Sequence, residues 1–182
     1  MRAHGFAFVT VLIAVPAMAQ TNDLDMGARQ AVGLFLQACI GNEANINAVR
    51  TWMDNLKVPR INGEALRPFL AGRPGVGYNA SNSTGHLALT SEDNGVCTVF
   101  VESAKDNDVI KSLETSVPNA QQSLKRLNDH ADERDPKLHH YDYALTRGGT
   151  IYDVVVSTDA TPGRIQGMLS FWRRGPNEGP VR

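Results

Sequence analysis

The chain has two cysteines, two tryptophans and almost no charge imbalance, with 18 basic against 19 acidic side chains. So few cysteines exclude a small disulfide-framework protein, and no Cys-x-x-Cys pair is present for redox chemistry or zinc. The balanced charge argues against a nucleic-acid binder, which would carry a basic stripe. No Gly-x-Ser-x-Gly, His-Glu-x-x-His or calcium-loop spacing occurs. The glycines of Arg73-Pro74-Gly75-Val76-Gly77 lack the Gly-Lys-Ser/Thr ending of a phosphate loop. Beyond Ala19 no apolar run reaches bilayer length, so no membrane span is expected.

What is present begins with an address. Arg2 precedes an apolar run from Phe6 to Val15, Pro16 breaks it, and Ala17-Met18-Ala19 fits the small-x-small cleavage rule. This reads as a signal peptide over 1–19, cut after Ala19, and a periplasmic or secreted product. Residues 20–182 form one domain by length, with 20–25 and 174–182 expected to be flexible. In an oxidising compartment two cysteines form a bridge, and only the Cys39–Cys97 pairing is available. In the chain-entropy model a loop of that length contributes about 4 kcal/mol.

Periodicity supplies the elements. Ala28, Ala31, Val32, Phe35, Ala38 and Cys39 recur at three- and four-residue steps and predict a helix that Gly41-Asn42 stops, with Asp23 or Asp25 as its cap. Ile46, Val49, Trp52, Met53 and Leu56 predict a second helix, capped by Asn42 or Asn45. Residues 61–78 read as irregular, with a helical turn or two near Glu64–Leu70. Gly85–Ser91 and Val96–Glu102 predict a hairpin through Asn94-Gly95, with Leu87, Leu89, Cys97, Val99 and Val101 on the core side.

Asp106 to Asp132 reads as a helical connector broken at Pro118, with Leu124 and Leu127 continuing its stripe. Three strands follow, over His139–Thr146, Thr150–Thr158 and Arg164–Trp172; the middle one, apolar on both faces, is expected to be interior. The expected fold is α+β: an N-terminal helical pair packed on a five-stranded antiparallel sheet with a helical crossover. Its order, α-α-ββ-α-βββ, resembles the profilin-like or PAS-like class, and fold alone does not fix function.

The best polar cluster is His139-His140-Tyr141-Asp142. On a strand, His140 and Asp142 project from one face and are placed to fill two positions of a ligand or metal site, with His86 or Asp153 as a third. Two nearby ligands fall short of a tetrahedral set, so no cofactor is assigned. Tyr141, Tyr143, Tyr152, Phe171 and Trp172 read chiefly as core, with a sheet pocket as the alternative.

With its signal peptide, the segments Phe35-Leu36-Gln37-Ala38-Cys39 and Gly95-Val96-Cys97-Thr98-Val99 and a closing β-meander, the chain resembles small families of uncharacterised exported proteins of Gram-negative bacteria. The resemblance implies a periplasmic location and carries over no catalytic residue. The expected role is a non-catalytic binding or accessory protein of the cell envelope, whose partner is an envelope protein or a small ligand. The alternatives are a small hydrolytic or metal-dependent enzyme built on His86, His140 and Asp142, and an inhibitor or immunity protein.

Overall fold

The structure, a computed structural model, describes residues 25–118, 122–161, 164–176 and 179. The signal-peptide reading and Asp23 lie outside those residues. Helix α1 (Met26–Phe35) runs on into a π-helical turn (Leu36–Ile40), and α2 (Ile46–Asn55) follows. Of the two candidate caps at each start, Asp25 accepts from the Gly27 amide of α1, and Asn45 accepts from the Asn47 and Ala48 amides of α2. The predicted stripe is the buried one: Ala28, Ala31, Phe35, Ala38 and Cys39 are fully enclosed. Leu56 is not part of the buried face of α2; it is 56% exposed.

The strands are β1 (Arg60–Ile61), β2 (Gly75–Asn79), β3 (Leu87–Glu92), β4 (Cys97–Val101), β5 (Gln122–Ala131), β6 (Leu138–Arg147), β7 (Thr150–Asp159) and β8 (Gly167–Arg173). Short helix α3 (Arg67–Leu70) precedes β2, and α4 (Asp106–Ser116) precedes β5. Among the described residues they make one antiparallel sheet in the order β1-β2-β3-β4-β8-β7-β6-β5. Two four-stranded meanders are thus joined edge to edge by β4 and β8, with α4 as the connection.

This corrects the five-stranded α-α-ββ-α-βββ expectation and the profilin-like or PAS-like comparison built on it. The extra strands are β1, β2 and β5. Strand β5 occupies the stretch read as helix. Its register shifts between Arg126 and Asn128, so the bulge around Leu127 restores a three-residue spacing from Leu124 that imitates a helix. Strand β2 was hidden by its glycines: a Cβ on Gly75 would lie 2.7 Å from the Ser91 carbonyl oxygen, so the close approach of the β3 backbone demands glycine there.

The predicted hairpin holds. Leu89 pairs with Val99 and Leu87 with Val101, and the turn closes with Gly95 at φ 97°. Cys39 and Cys97 form the disulfide, with Cα atoms 5.6 Å apart, tying the end of the first helical segment to β4. Strand β7 is interior, between β6 and β8.

One face of the sheet packs on α1, α2 and α4. A row of paired residues, Tyr78, Leu89, Val99, Leu169, Val156 and Tyr141, runs along it. Phe35 meets Phe171 edge-on at 6.1 Å, and burying a side chain of that size contributes roughly 2–3 kcal/mol. On the opposite face, among the described residues, only the segment around α3 packs against the sheet. There Phe69 lies edge-on against Phe100, with centroids 5.1 Å apart.

Candidate functional site

The face away from the helices carries the site candidates. One row across it runs Ala88, Phe100, Met168, Ser157, His140 and His130. The next runs Thr90, Thr98, Ser170, Val155, Asp142 and Asn128. The half over β3, β4 and β8 thus sets an apolar row, Ala88, Phe100 and Met168, beside a row of hydroxyls, Thr90, Thr98 and Ser170, and the half over β7, β6 and β5 is polar apart from Val155.

In the polar half, His140 and Asp142 share a face as the alternation predicts. His140 Nδ1 lies 2.8 Å from Ser157 Oγ, and its Nε2 lies 3.3 Å from Asp132 Oδ2. The His130 ring is 5.5 Å from that of His140. Asp142 is 3% exposed, and among the described residues its Oδ2 has no hydrogen-bond partner. Burial raises its pKa against the opposing pull of His130 and His140. Asp153, on the neighbouring strand, is occupied by the Arg174 guanidinium.

His86 does not join them. Strands β4, β8 and β7 separate its strand from β6, on the order of 19 Å at the usual strand spacing. It stands 76% exposed, 4.0 Å from Glu102. Among the described residues no group of three or more His, Cys, Asp or Glu side chains is placed to hold a metal ion.

Ser157, His140 and Asp132 present a hydroxyl, an imidazole and a carboxylate in sequence, a link that no local motif revealed. Acyl transfer also needs amides aimed at a developing oxyanion. Ser157 sits inside β7, paired with His140 on one side and Met168 on the other, so the neighbouring amides belong to the sheet ladders.

Three cavities lie around the β4–β8 pair, the first at the strand ends on the helix-bearing side and the other two on this open face. The first, about 690 Å³, lies between the α1–α2 loop, the β3–β4 turn and the end of β8. The second, about 490 Å³, covers Thr98, Met168 and Ser170, and shares Asn94, Val96 and Trp172 with the first. The third, about 340 Å³, covers Leu87 and Ala88, and shares Phe69 and Phe100 with the second. The second and third make one furrow along β4 and β8 on the open face, whereas Tyr152 and Arg173 in the first lie on the helix-bearing face. The floor of the furrow, from Val96 to Glu102, spans roughly 20 Å at strand rise.

The flap over this furrow is built from the sequence that read as irregular. Pro68 stands in the first turn of α3, where its missing amide hydrogen costs nothing, and Ala71 in the left-handed conformation ends it. Arg73 then anchors the return: its Nε lies 2.7 Å from Oε2 of the buried Glu92, to which Asn94 also donates at 3.3 Å. At the far end, Arg164 pairs with Asp159 at 3.1 Å. Asp159 accepts hydrogen bonds from Thr161, which, with Arg164, hold its carboxyl below the usual range.

No protein-family model, curated protein or solved structure matches this chain.

Proposed function

We propose that the protein is a non-catalytic binding protein of the export compartment, periplasmic or secreted, and that it holds a small ligand in the furrow along β4 and β8. The observation that carries this reading is that the two open-face cavities share Phe69 and Phe100 in their lining and so adjoin along the strands. Ligand sites are concave, chiefly apolar, and edged by a few polar groups. This furrow has Phe69, Phe100 and Met168 within it and Arg73, His86 and Arg164 at its margins.

An oxidising compartment suits the Cys39–Cys97 bridge, and among the described residues no helix is long and apolar enough to cross a membrane. The hydrolytic or metal-dependent alternative draws no support from His86, which stands apart from His140 and Asp142.

Native mass spectrometry of the oxidised mature chain, purified from its export compartment, tests the proposal. The expected result is a one-to-one small-molecule adduct that Met168→Asp removes. A chain that carries no adduct, and whose Trp172 emission no fraction of a small-molecule extract shifts, would remove the binding role.

A further inference from the structure

We infer that the cavity at the strand ends on the helix-bearing side is a second binding site, for a small polar carboxylate held by the Arg173 guanidinium and the Tyr152 hydroxyl. It is separate from the open-face furrow and does not depend on it.

Register sets the two groups side by side. Tyr152 of β7 is paired directly with Arg173 of β8, on the face that also carries Val154 and Phe171. The Cβ atoms of such a pair lie about 5 Å apart. Both residues line the cavity, whose volume of about 690 Å³ is ordinary for a small-molecule site.

The hydroxyl is the telling group. Of the four tyrosines, Tyr78 donates to the Arg50 carbonyl, Tyr141 to Asp106 and Tyr143 to Glu114. Tyr152 is 4% exposed, and its ring is fixed by stacking on Phe171 at 4.9 Å. Among the described residues its hydroxyl makes no hydrogen bond. A nearly buried donor left without a partner costs stability, and here the space beside it is the cavity.

Charge gives the sign of the ligand. Among the described residues Arg173 makes no ion pair or side-chain hydrogen bond. The one carboxylate lining the cavity, Glu43, lies 3.6 Å from Arg147. One positive charge is therefore unanswered. Asn45 and Ala48, at the start of α2, form another part of the wall, and a helix start adds partial positive charge.

A single guanidinium balances a single negative charge, and its planar fork fits a carboxylate. That selects a carboxylate over a phosphate dianion. Asparagine, glycine and alanine make up most of the remaining wall, with Val96 and Trp172 at one side. The body of the ligand is therefore short and polar, unlike the occupant of the apolar furrow. The site is also preformed: the Cys39–Cys97 bridge holds the end of the first helical segment against β4, and Asn42 donates back to the Ala38 carbonyl at 2.8 Å.

The test titrates the isotope-labelled, oxidised mature chain with gluconate, with sorbitol, in which an alcohol replaces the carboxylate, and with inorganic phosphate. The Arg173 Nε–H and Gly95 amide resonances should move saturably with gluconate, at one site, while the Met168 methyl on the open face stays still. Sorbitol should bind weaker by roughly tenfold, the scale of a charge-assisted hydrogen bond with an exposed ion pair. Phosphate should bind weaker than gluconate. Arg173→Gln alters an exposed side chain and should erase the preference for gluconate over sorbitol. Tyr152→Phe keeps the ring on Phe171 and should weaken gluconate by roughly fivefold to tenfold with no loss of melting temperature. Shifts that never saturate, that fall equally on the exposed Arg67, or that survive Arg173→Gln overturn the inference. So does gluconate binding indifferent to Tyr152→Phe, and phosphate binding as tight as gluconate overturns the carboxylate assignment.

Discussion

The Tyr143 hydroxyl donates a 3.0 Å hydrogen bond to Glu114 Oε1, joining the middle of β6 to the last turn of α4. Arg126 of β5 closes the group. It lies 2.6 Å from Glu114 and 2.8 Å from Asp129, and it stacks over Tyr143 and Tyr141. Tyr141 makes the parallel bond to Asp106 at the other end of α4. The helix is thus held to the second meander by two phenols that donate to two carboxylates.

That arrangement sets an alkaline limit on stability. Burial, with Asp106 beside it, pushes Tyr141 up to about 12, and burial with Glu114 raises Tyr143 as well. A phenol raised in the folded state favours folding while it is protonated. The contribution is complete below the unfolded value near 10 and is lost as pH rises through the folded one. For Tyr141 this amounts to about 2–3 kcal/mol. Melting temperature should fall steeply between about pH 10 and 12, and Tyr141→Phe should flatten that fall. Tyrosinate absorbance that develops fully near pH 10 without unfolding would refute it.

A second expectation concerns the Cys39–Cys97 bridge, which joins residues 58 apart in sequence. In the chain-entropy model opening it costs about 4 kcal/mol. For a chain of this size that is on the order of 10 °C in melting temperature. The Cys39→Ala, Cys97→Ala double variant should melt lower by that amount, with its circular dichroism at room temperature preserved. Identical melts for the oxidised chain and the double variant would show that α1 and the hairpin need no tie.

The parts that the sequence made legible are those in which side-chain burial follows backbone period. The α1 stripe, the β3–β4 register and the alternation of Tyr141, Tyr143 and Leu145 against His140, Asp142 and Ala144 all have one face in the core. Strand β5 does not. It is an edge strand with mostly exposed side chains, and its bulge breaks the two-residue period. Strand β2 lacked a period because Gly75 and Gly77 serve close packing rather than burial. For the site, alternation alone placed His140 beside Asp142. The furrow was invisible because it joins α3, the β3–β4 turn and β8, which are far apart in sequence and meet only through the β4–β8 pairing.

The polar half of the open face gives the last prediction. Asp142 is enclosed among His130 and His140, with Asn128 opposite it in the β5 register, and Asp153 adds a like charge. Burial raises its pKa, so the folded state disfavours its ionised form. The sign is the reverse of a paired carboxylate. The penalty is present above the folded pKa and is relieved as pH falls through it and the carboxyl takes up a proton. Asp142→Asn should therefore raise the melting temperature at neutral pH, and the gain should shrink as the solution is acidified toward pH ~4, the ordinary carboxyl value. The unpartnered Oδ2 makes the substitution inexpensive in hydrogen bonds. Melts of both chains across the acid range read the difference directly. A variant less stable at neutral pH, with a deficit that grows as pH rises, would mean that Asp142 is ionised and held by the two imidazoles, and would turn the cluster from a buried penalty into an ion network.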